Sequence, residues 1–188
     1  MQNTTTSKVA ELLRWFREHG GYLHEDIQLI HNSEYGYHYV AEGRPIEAKE
    51  TVCHCPFGLT LSHLNVMRDA PTSIVNCSET SKCSNLLKNL KIERSTTAIF
   101  FLIEQRLKAK ESFWFPYIQL LPDAISMTTP LWFGDDELAY LRGTNLLSND
   151  TPLNQTSVGL QQESFRKQWE LGVRELECAG ESREQFSW

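Results

Sequence analysis

The sequence predicts an α+β fold in which a short β-rich part precedes a group of helices. Apolar residues recur at three- and four-residue steps near the N-terminus and again beyond residue 95, which is the spacing of core-facing helices. Between residues 22 and 61 the pattern changes to short apolar or alternating runs separated by turn residues, which is typical of strands. With 188 residues, of which 40% are apolar and 22% charged, the chain has the composition of one folded domain or part of a larger one.

The first predicted element is an amphipathic helix. Thr6 or Ser7 can cap its start, and Gly20-Gly21 can supply a left-handed stop. Its apolar stripe consists of Val9, Leu12, Leu13 and Phe16.

Three strands are predicted next, over residues 27–30, 37–41 and 51–61. The segments between them are rich in Asn, Ser, Gly, Pro and charged residues, which favour turns.

Helices dominate the remainder of the predicted chain. Leucines and other apolar residues at helical spacing predict helices over residues 82–93 and 96–110, and residues 112–122 predict a short aromatic turn-helix between prolines. A further helix begins at Gly134 or Asp135, buries Leu138 and Leu141, and ends at Gly143.

The last long helix is predicted over residues 156–179, with Gly180 as its stop. Its apolar stripe is Phe165, Trp169, Val173 and Leu176. Ser182 and Gln185 then form a capping-box pattern, which predicts the first turn of another helix carrying the exposed aromatics Phe186 and Trp188.

Charge and composition exclude several classes of partner. The net charge of -6 and the absence of a basic stripe argue against nucleic-acid binding. No apolar run is long enough for a transmembrane helix, and the first residues lack the pattern of a secretory signal. The five cysteines are odd in number and irregular in spacing, which predicts free thiols in a reducing compartment. We therefore expect an intracellular protein, cytoplasmic or nuclear, whose oligomeric state the sequence leaves open.

Three segments together resemble one protein family. They are LLRWFREHGGYLHEDIQLI (residues 12–30), the two stretches GYHYVA and ETVCHCPFGLTLS (residues 36–41 and 50–62), and FFLIEQRLKAKESFWFPYIQLLPDAISMTTPLWFGDDELAYLRGTNLL (residues 100–147). In this order and spacing they resemble SET-domain protein methyltransferases of the Rubisco and ribosomal lysine methyltransferase type. The resemblance implies a partial SET domain over residues 9–179, with an N-terminal helix and strands in 9–62, a helical insert in 82–179, and an interrupted helix in 180–188.

The resemblance also implies a cofactor and a site. Family members bind S-adenosylmethionine and methylate a protein side chain, usually lysine and in some members histidine, so the expected partner is a protein with a target lysine. The cofactor contacts expected from the family's glycine turn fall on Ser33, Glu34, Tyr35, Gly36 and Tyr37. The family usually has a Gly-x-Gly-like turn, and this chain has only Gly36 there. Gly36 could instead serve a plain β-turn between strand residues.

The residues that carry the family's chemistry have no counterpart here. The resemblance places catalysis on an Arg-x-x-Asn-His motif and a later tyrosine, but the sequence has no Asn-His pair and its last tyrosine is Tyr140. We therefore assign no catalytic residue and expect a fragment without methyl-transfer activity of its own. The alternative is a non-catalytic protein-interaction module derived from a SET domain.

Several cysteines and histidines raise the question of a metal site: Cys53, His54, Cys55, His63, Cys77 and Cys83. Their Cys-x-Cys and Cys-x5-Cys spacings do not match the common Cys-x2-Cys zinc pattern, so we predict no metal. Alternation along a strand puts Cys53 and Cys55 on one face, where they are expected to be small buried hydrophobic residues.

Overall fold

In the computed structural model of this protein, the described residues are 2–62, 65, 94–123, 126–127, 129–178 and 180–186. Within them, helices and small antiparallel sheets are both present, which confirms the α+β class. The helices are α1 (Gln2–Glu18), α2 (Arg94–Lys108), α3 (Phe115–Ile118), α4 (Asp135–Ala139) and α5 (Ser157–Cys178). The strands are β1 (Tyr22–Leu23), β2 (Ile27–Asn32), β3 (Gly36–Ala41) and β4 (Cys53–His54). The helix predicted over residues 82–93 lies outside the described residues.

The chain divides into two compact units. The first comprises Met1–Ser81 and Phe101–Leu121, and the second comprises Lys82–Phe100 and Pro122–Trp188. The boundary that the sequence predicts, between residues 9–62 and a helical insert over 82–179, stays a prediction. None of the described helices combines the length and apolar character needed to cross a membrane.

Helix α1 begins earlier than predicted and ends as predicted. Residues 2–18 contain neither glycine nor proline, so nothing in the polar start prevents the helix from reaching Gln2. At its end Gly20 has φ of 83°. The amide of Gly21 donates to the carbonyl of Phe16 at 2.8 Å and that of Gly20 to Arg17 at 3.1 Å, which together form a Schellman motif.

Two small antiparallel sheets follow in the first unit. Strands β2 and β3 form a hairpin whose register runs from Ile27 opposite Ala41 to Asn32 opposite Gly36, close to the predicted bounds. Strands β1 and β4 form the second pair. The strand predicted over residues 51–61 is wrong in extent, because only Cys53–His54 pairs and Phe57–Leu59 is a 3₁₀ turn. Pro56 has no amide hydrogen for a sheet and has the φ that suits entry into a turn.

Aromatic packing holds the first unit together. Phe101, Trp114 and Ile118 are buried, and the rings of Phe101 and Trp114 meet edge to face with centroids 5.3 Å apart. The indole nitrogen of Trp114 donates to the carbonyl of Leu59 at 3.0 Å, so its one polar atom is satisfied in the core. The interpretation of the aromatic segment 112–122 as a packed turn-helix is confirmed.

Helix α5 organises the second unit. Its residues Val173 and Leu176 are fully buried, as the stripe predicts, together with Phe100 of α2. Gly172 lies directly against the Phe100 ring, since a Cβ atom added there would be 2.1 Å from Phe100 Cε2. A second cluster joins Leu138, Leu147 and Val158, with Phe133 and Leu141 packed against it.

The segment after α5 corrects one prediction. Residues Arg183–Phe186 form a 3₁₀ turn, but Phe186 is only 3% exposed, whereas the sequence predicted an exposed side chain. The Phe186 ring packs 5.9 Å from that of Phe100, and its carbonyl accepts a hydrogen bond from Trp169 Nε1 at 2.8 Å. The guanidinium of Arg183 lies 5.2 Å from the Trp169 ring. The turn is therefore stabilised by tertiary packing; Trp188 lies outside the described residues.

Candidate functional site

The five residues predicted to contact a cofactor lie at the tip of the β2–β3 hairpin. Asn32 and Gly36 are the last paired positions, so Ser33, Glu34 and Tyr35 form the exposed loop between the strands. The Asn32 side-chain oxygen accepts hydrogen bonds from the amides of Glu34 at 3.1 Å and Tyr35 at 2.6 Å. This Asx turn fixes the loop from within the chain.

Gly36 is required by backbone conformation and not by packing. Its φ is 64°, in the left-handed region that favours glycine. A Cβ atom added at Gly36 would meet no atom within 4 Å. The turn role considered for Gly36 is therefore real, and the main chain beside it is also open to approach from outside the described chain.

Two pairs of aromatic rings lie among the neighbours of this glycine in the sequence. The rings of His31 and Tyr37 meet at 4.6 Å, and those of Tyr35 and His38 at 5.8 Å. A ring nitrogen of His38, Nδ1, lies 3.1 Å from the Gly36 carbonyl. Tyr35 is 67% exposed, and its hydrogen bond to Glu34, with a smaller effect of desolvation, raises the pKa of its phenol. The tip thus offers exposed aromatic surface close to its main chain.

A cluster of charged residues beside β1 was not predicted from the sequence. His24 is buried, and the Asp26 amide donates to its Nδ1 at 3.2 Å. Its Nε2 lies 3.4 Å from Arg44 Nη2 and 3.9 Å from Glu50 Oε2. Arg44 donates to both Glu50 oxygens at 2.9 and 3.0 Å and lies 3.4 Å from Asp26 Oδ2. The cluster fastens the loop over residues 42–50 to the start of β2.

The electrostatics of this cluster follow from the Arg44–Glu50 pair. Hydrogen bonds from Arg44 and from the Glu47 amide lower the pKa of Glu50 to about 2. The same pair raises the pKa of Arg44 above its ordinary value. No sequence signal marked these residues, because their spacing matches no motif and only the folded loop brings Arg44 and Glu50 beside His24.

The cysteines of β4 differ from their prediction. Cys53 and Cys55 are exposed, so their assignment as buried hydrophobic residues is wrong. The Cys55 thiol lies 3.6 Å from the carbonyl of Pro56, and partial burial, with a contribution from Cys53, raises its pKa. Among the described residues no three His, Cys, Asp or Glu side chains are grouped to hold a metal ion. His63, Cys77 and Cys83, which the metal hypothesis also used, lie outside those residues.

Comparison with known proteins points to one class, the protein methyltransferases. The chain is 30% identical over 137 residues to an actin-histidine N-methyltransferase of Gallus gallus, and 29% and 28% identical to those of Rhinolophus ferrumequinum and Xenopus tropicalis. The matches cover 73% of this chain and 21% of each relative, so the chain spans about a fifth of the length of the curated relatives it matches. No protein-family model and no solved structure matches the chain.

Proposed function

We propose that this chain is part of an S-adenosylmethionine-dependent protein methyltransferase of the SET-domain class. The observation that carries the proposal is the similarity over 137 residues to three protein methyltransferases. The three SET-like segments support it from the sequence side. Within this proposal, residues 9–62 supply the helix and strands of the domain, and residues 82–179 supply its helical insert.

The hairpin tip is proposed to contact the cofactor through its main chain. Residues 33–37 fit this role in one respect, because Gly36 has no side chain and a Cβ atom built there would have no described atom within 4 Å. They would form one edge of a site, since Ser33, Glu34 and Tyr35 are exposed. When bound, S-adenosylmethionine supplies an activated methyl group on its sulfonium sulfur.

The proposed methyl acceptor is a nitrogen of a protein side chain. The relatives are named for histidine in actin, and the SET-like segments resemble lysine methyltransferases, so the proposal covers both lysine and histidine. The 188 residues contain no Asn-His pair and no tyrosine after Tyr140. The proposal therefore gives the chain a cofactor contact but no catalytic residue. The proposed compartment is intracellular, cytoplasmic or nuclear, on the odd number and irregular spacing of the five cysteines.

A matched pair of glycine variants tests the cofactor contact. Gly36 and Gly180 both have positive φ, 64° and 91°, and neither has an atom within 4 Å of a built Cβ. Gly36→Ala and Gly180→Ala should therefore carry a similar conformational cost of about 1 kcal/mol. Saturation-transfer NMR with S-adenosylmethionine would measure binding to the wild-type chain and to both variants.

We expect weak, millimolar binding by the wild-type chain, because the hairpin tip is one edge of a site. Gly36→Ala should reduce the saturation transfer, and Gly180→Ala should leave it unchanged at equal stability. Equal signals from the two variants would refute the assignment of residues 33–37. Transfer of labelled methyl groups to a protein by the wild-type chain alone would contradict the absence of a catalytic residue.

A further inference from the structure

The second unit contains an apolar cavity of about 250 Å³ at the start of α5. Four apolar residues form most of its wall: Pro130, Leu131, Leu146 and Val158. Thr129, Ser157 and Gln161 complete the lining. Leu146 is also largely exposed, so the apolar surface continues outward from the cavity.

The walls of this cavity are fixed by hydrogen bonds and packing. The side-chain amide of Gln162 donates to the carbonyls of Leu131 at 3.2 Å and Pro130 at 3.5 Å, which ties the 3₁₀ turn Pro130–Trp132 to α5. Val158 is held from behind by its cluster with Leu138 and Leu147. The cavity is thus present before any ligand arrives, as binding pockets usually are.

The segment that builds the cavity is strongly acidic. Residues 129–162 contain four carboxylates, those of Asp135, Asp136, Glu137 and Asp150, and a single basic residue, Arg142. Helix α4 packs through Leu138 against Val158 of the cavity wall, and its first turn carries the carboxylates of Asp135, Asp136 and Glu137.

The carboxylates of this turn do not all have a structural role. Glu137 closes the helix start by accepting the Gly134 amide at 2.9 Å. Asp135 and Asp136 are exposed and form no ion pair with any residue that the structure describes. They are therefore available to a cationic partner.

Size and surroundings indicate what the cavity accepts. Its volume lies below the roughly 300–1,000 Å³ of small-molecule sites, and it fits one bulky apolar side chain. Two large aromatic residues stand exposed on the same stretch, Trp132 at 48% and Tyr140 at 88%. Aromatic residues are enriched where proteins bind one another, and an apolar anchor in a pocket is the usual centre of such a contact.

We infer that this cavity docks a basic linear segment of another protein, with one bulky apolar side chain inside and flanking lysines or arginines against Asp135 and Asp136. The apolar wall favours a bulky apolar side chain in the bound segment, and the carboxylates favour lysine or arginine beside it. This docking role is independent of the proposed methyltransferase function, because the cavity and the hairpin tip share no residue.

Labelled peptides test the inference on the 188-residue chain. The probe is a fluorescein-labelled peptide of sequence KKSWSKK, whose tryptophan is the anchor. One matched peptide replaces the tryptophan with alanine, and another replaces all lysines with glutamate. Fluorescence anisotropy at low and physiological salt should show binding of the first peptide that weakens as salt rises, and about tenfold weaker binding of each matched peptide.

Variants locate the contact on the protein. Ser157→Phe places a ring in the cavity from an exposed position, and it should weaken probe binding about tenfold. Leu146→Ala removes wall surface and should act in the same direction, with Leu171→Ala on the exposed face of α5 as its control. Circular dichroism would confirm that each variant is folded.

The charge contribution has its own variants. Asp135→Asn with Asp136→Asn should weaken binding and flatten its salt dependence. The control is Glu170→Gln with Glu175→Gln, which removes two exposed carboxylates of α5 outside the cavity segment. It should change neither the affinity for the probe nor the salt dependence of that affinity. The inference is overturned if the wild-type chain does not bind the probe, if the alanine or glutamate peptide binds equally well, or if Ser157→Phe and Leu146→Ala both bind as wild type.

Discussion

Replacing Gly172 with alanine should destabilise the protein, although the same change in most helices stabilises. A glycine inside a helix costs about 1 kcal/mol relative to alanine, so propensity alone predicts a gain. At Gly172 a built Cβ is 2.1, 2.5 and 3.0 Å from three carbons of the Phe100 ring, far inside the usual carbon contact of about 3.5–4.0 Å. Phe100 is fully buried and Phe186 packs against it, so the ring has little room to retreat.

The expected size follows from these opposing effects. Overpacking of a buried site lowers the free energy of unfolding by about 1–3 kcal/mol. The higher helix propensity of alanine raises it by about 1 kcal/mol. We expect a net loss of up to about 2 kcal/mol in the free energy of unfolding. For a chain of this length each kcal/mol lowers Tm by about 2–4 °C.

Urea unfolding monitored by tryptophan fluorescence and by circular dichroism would measure this loss. Two probes are needed because a chain with two compact units can depart from two-state unfolding. Ser164→Ala, on the exposed face of the same helix, is the control and should be neutral or slightly stabilising. In a Phe100→Leu background Gly172→Ala should no longer destabilise the protein. The coupling energy between the two substitutions should be about 1 kcal/mol or more. A stabilised Gly172→Ala variant would refute the packing of α5 against Phe100.

Three further predictions concern the C-terminal turn, the charged cluster and the thiols. Phe186→Ala should lower the free energy of unfolding by about 3 kcal/mol, measured by urea unfolding, because it removes a buried ring; a neutral result would mean that the turn is not docked. The Glu50 carboxylate should titrate near pH 2 by NMR, and the stability that it contributes should be present above its ordinary pKa of 4.5 and be lost as the pH falls toward 2. Arg44→Gln should return the pKa of Glu50 toward 4.5. An unchanged Glu50 pKa in that variant would show that the Arg44–Glu50 pair does not form. Cys53 and Cys55 should both react with Ellman's reagent without denaturant, because both are exposed. Cys55 should react more slowly at pH 8 than the cysteine of a free peptide, because its pKa is raised. Protection of both thiols from the reagent would contradict their exposure.

The elements that sequence predicted well are those set by neighbouring residues. Helix α2 was expected over residues 96–110 and occupies Arg94–Lys108, because its apolar spacing and the following aromatic turn are local signals. The glycine stops after α1 and α5 are local too, and Gly20 and Gly180 both have positive φ. The stop predicted at Gly143 is wrong, because α4 already ends at Ala139 and the Gly143 amide donates to the Leu147 carbonyl at 2.8 Å. Strands β2 and β3 lie close to their predicted bounds for the same reason.

Burial was less predictable because it depends on distant parts of the chain. Strand alternation predicts that Cys53 and Cys55 share a face, but it cannot tell whether that face is covered, and both residues are exposed. Phe186 was expected to be exposed because its local turn is short, yet its partner Phe100 comes from a helix far upstream. The cluster of His24 with Arg44 and Glu50 was invisible for the same reason.

The candidate site shows how far a glycine can be interpreted from sequence. Gly172 is required because a Cβ atom there would lie 2.1 Å from Phe100 Cε2, whereas Gly36 is required by its φ of 64° and has no atom within 4 Å of a built Cβ. A sequence pattern cannot separate these causes, because steric exclusion is a property of the folded neighbours. The turn requires glycine at position 36 because of its φ, and no described atom crowds the place of a side chain. A second requirement for the missing side chain would therefore come from a ligand outside the described chain. The Gly36→Ala and Gly180→Ala variants separate these two requirements. Both have a similar conformational cost, so a difference between them in S-adenosylmethionine binding indicates a ligand contact at Gly36.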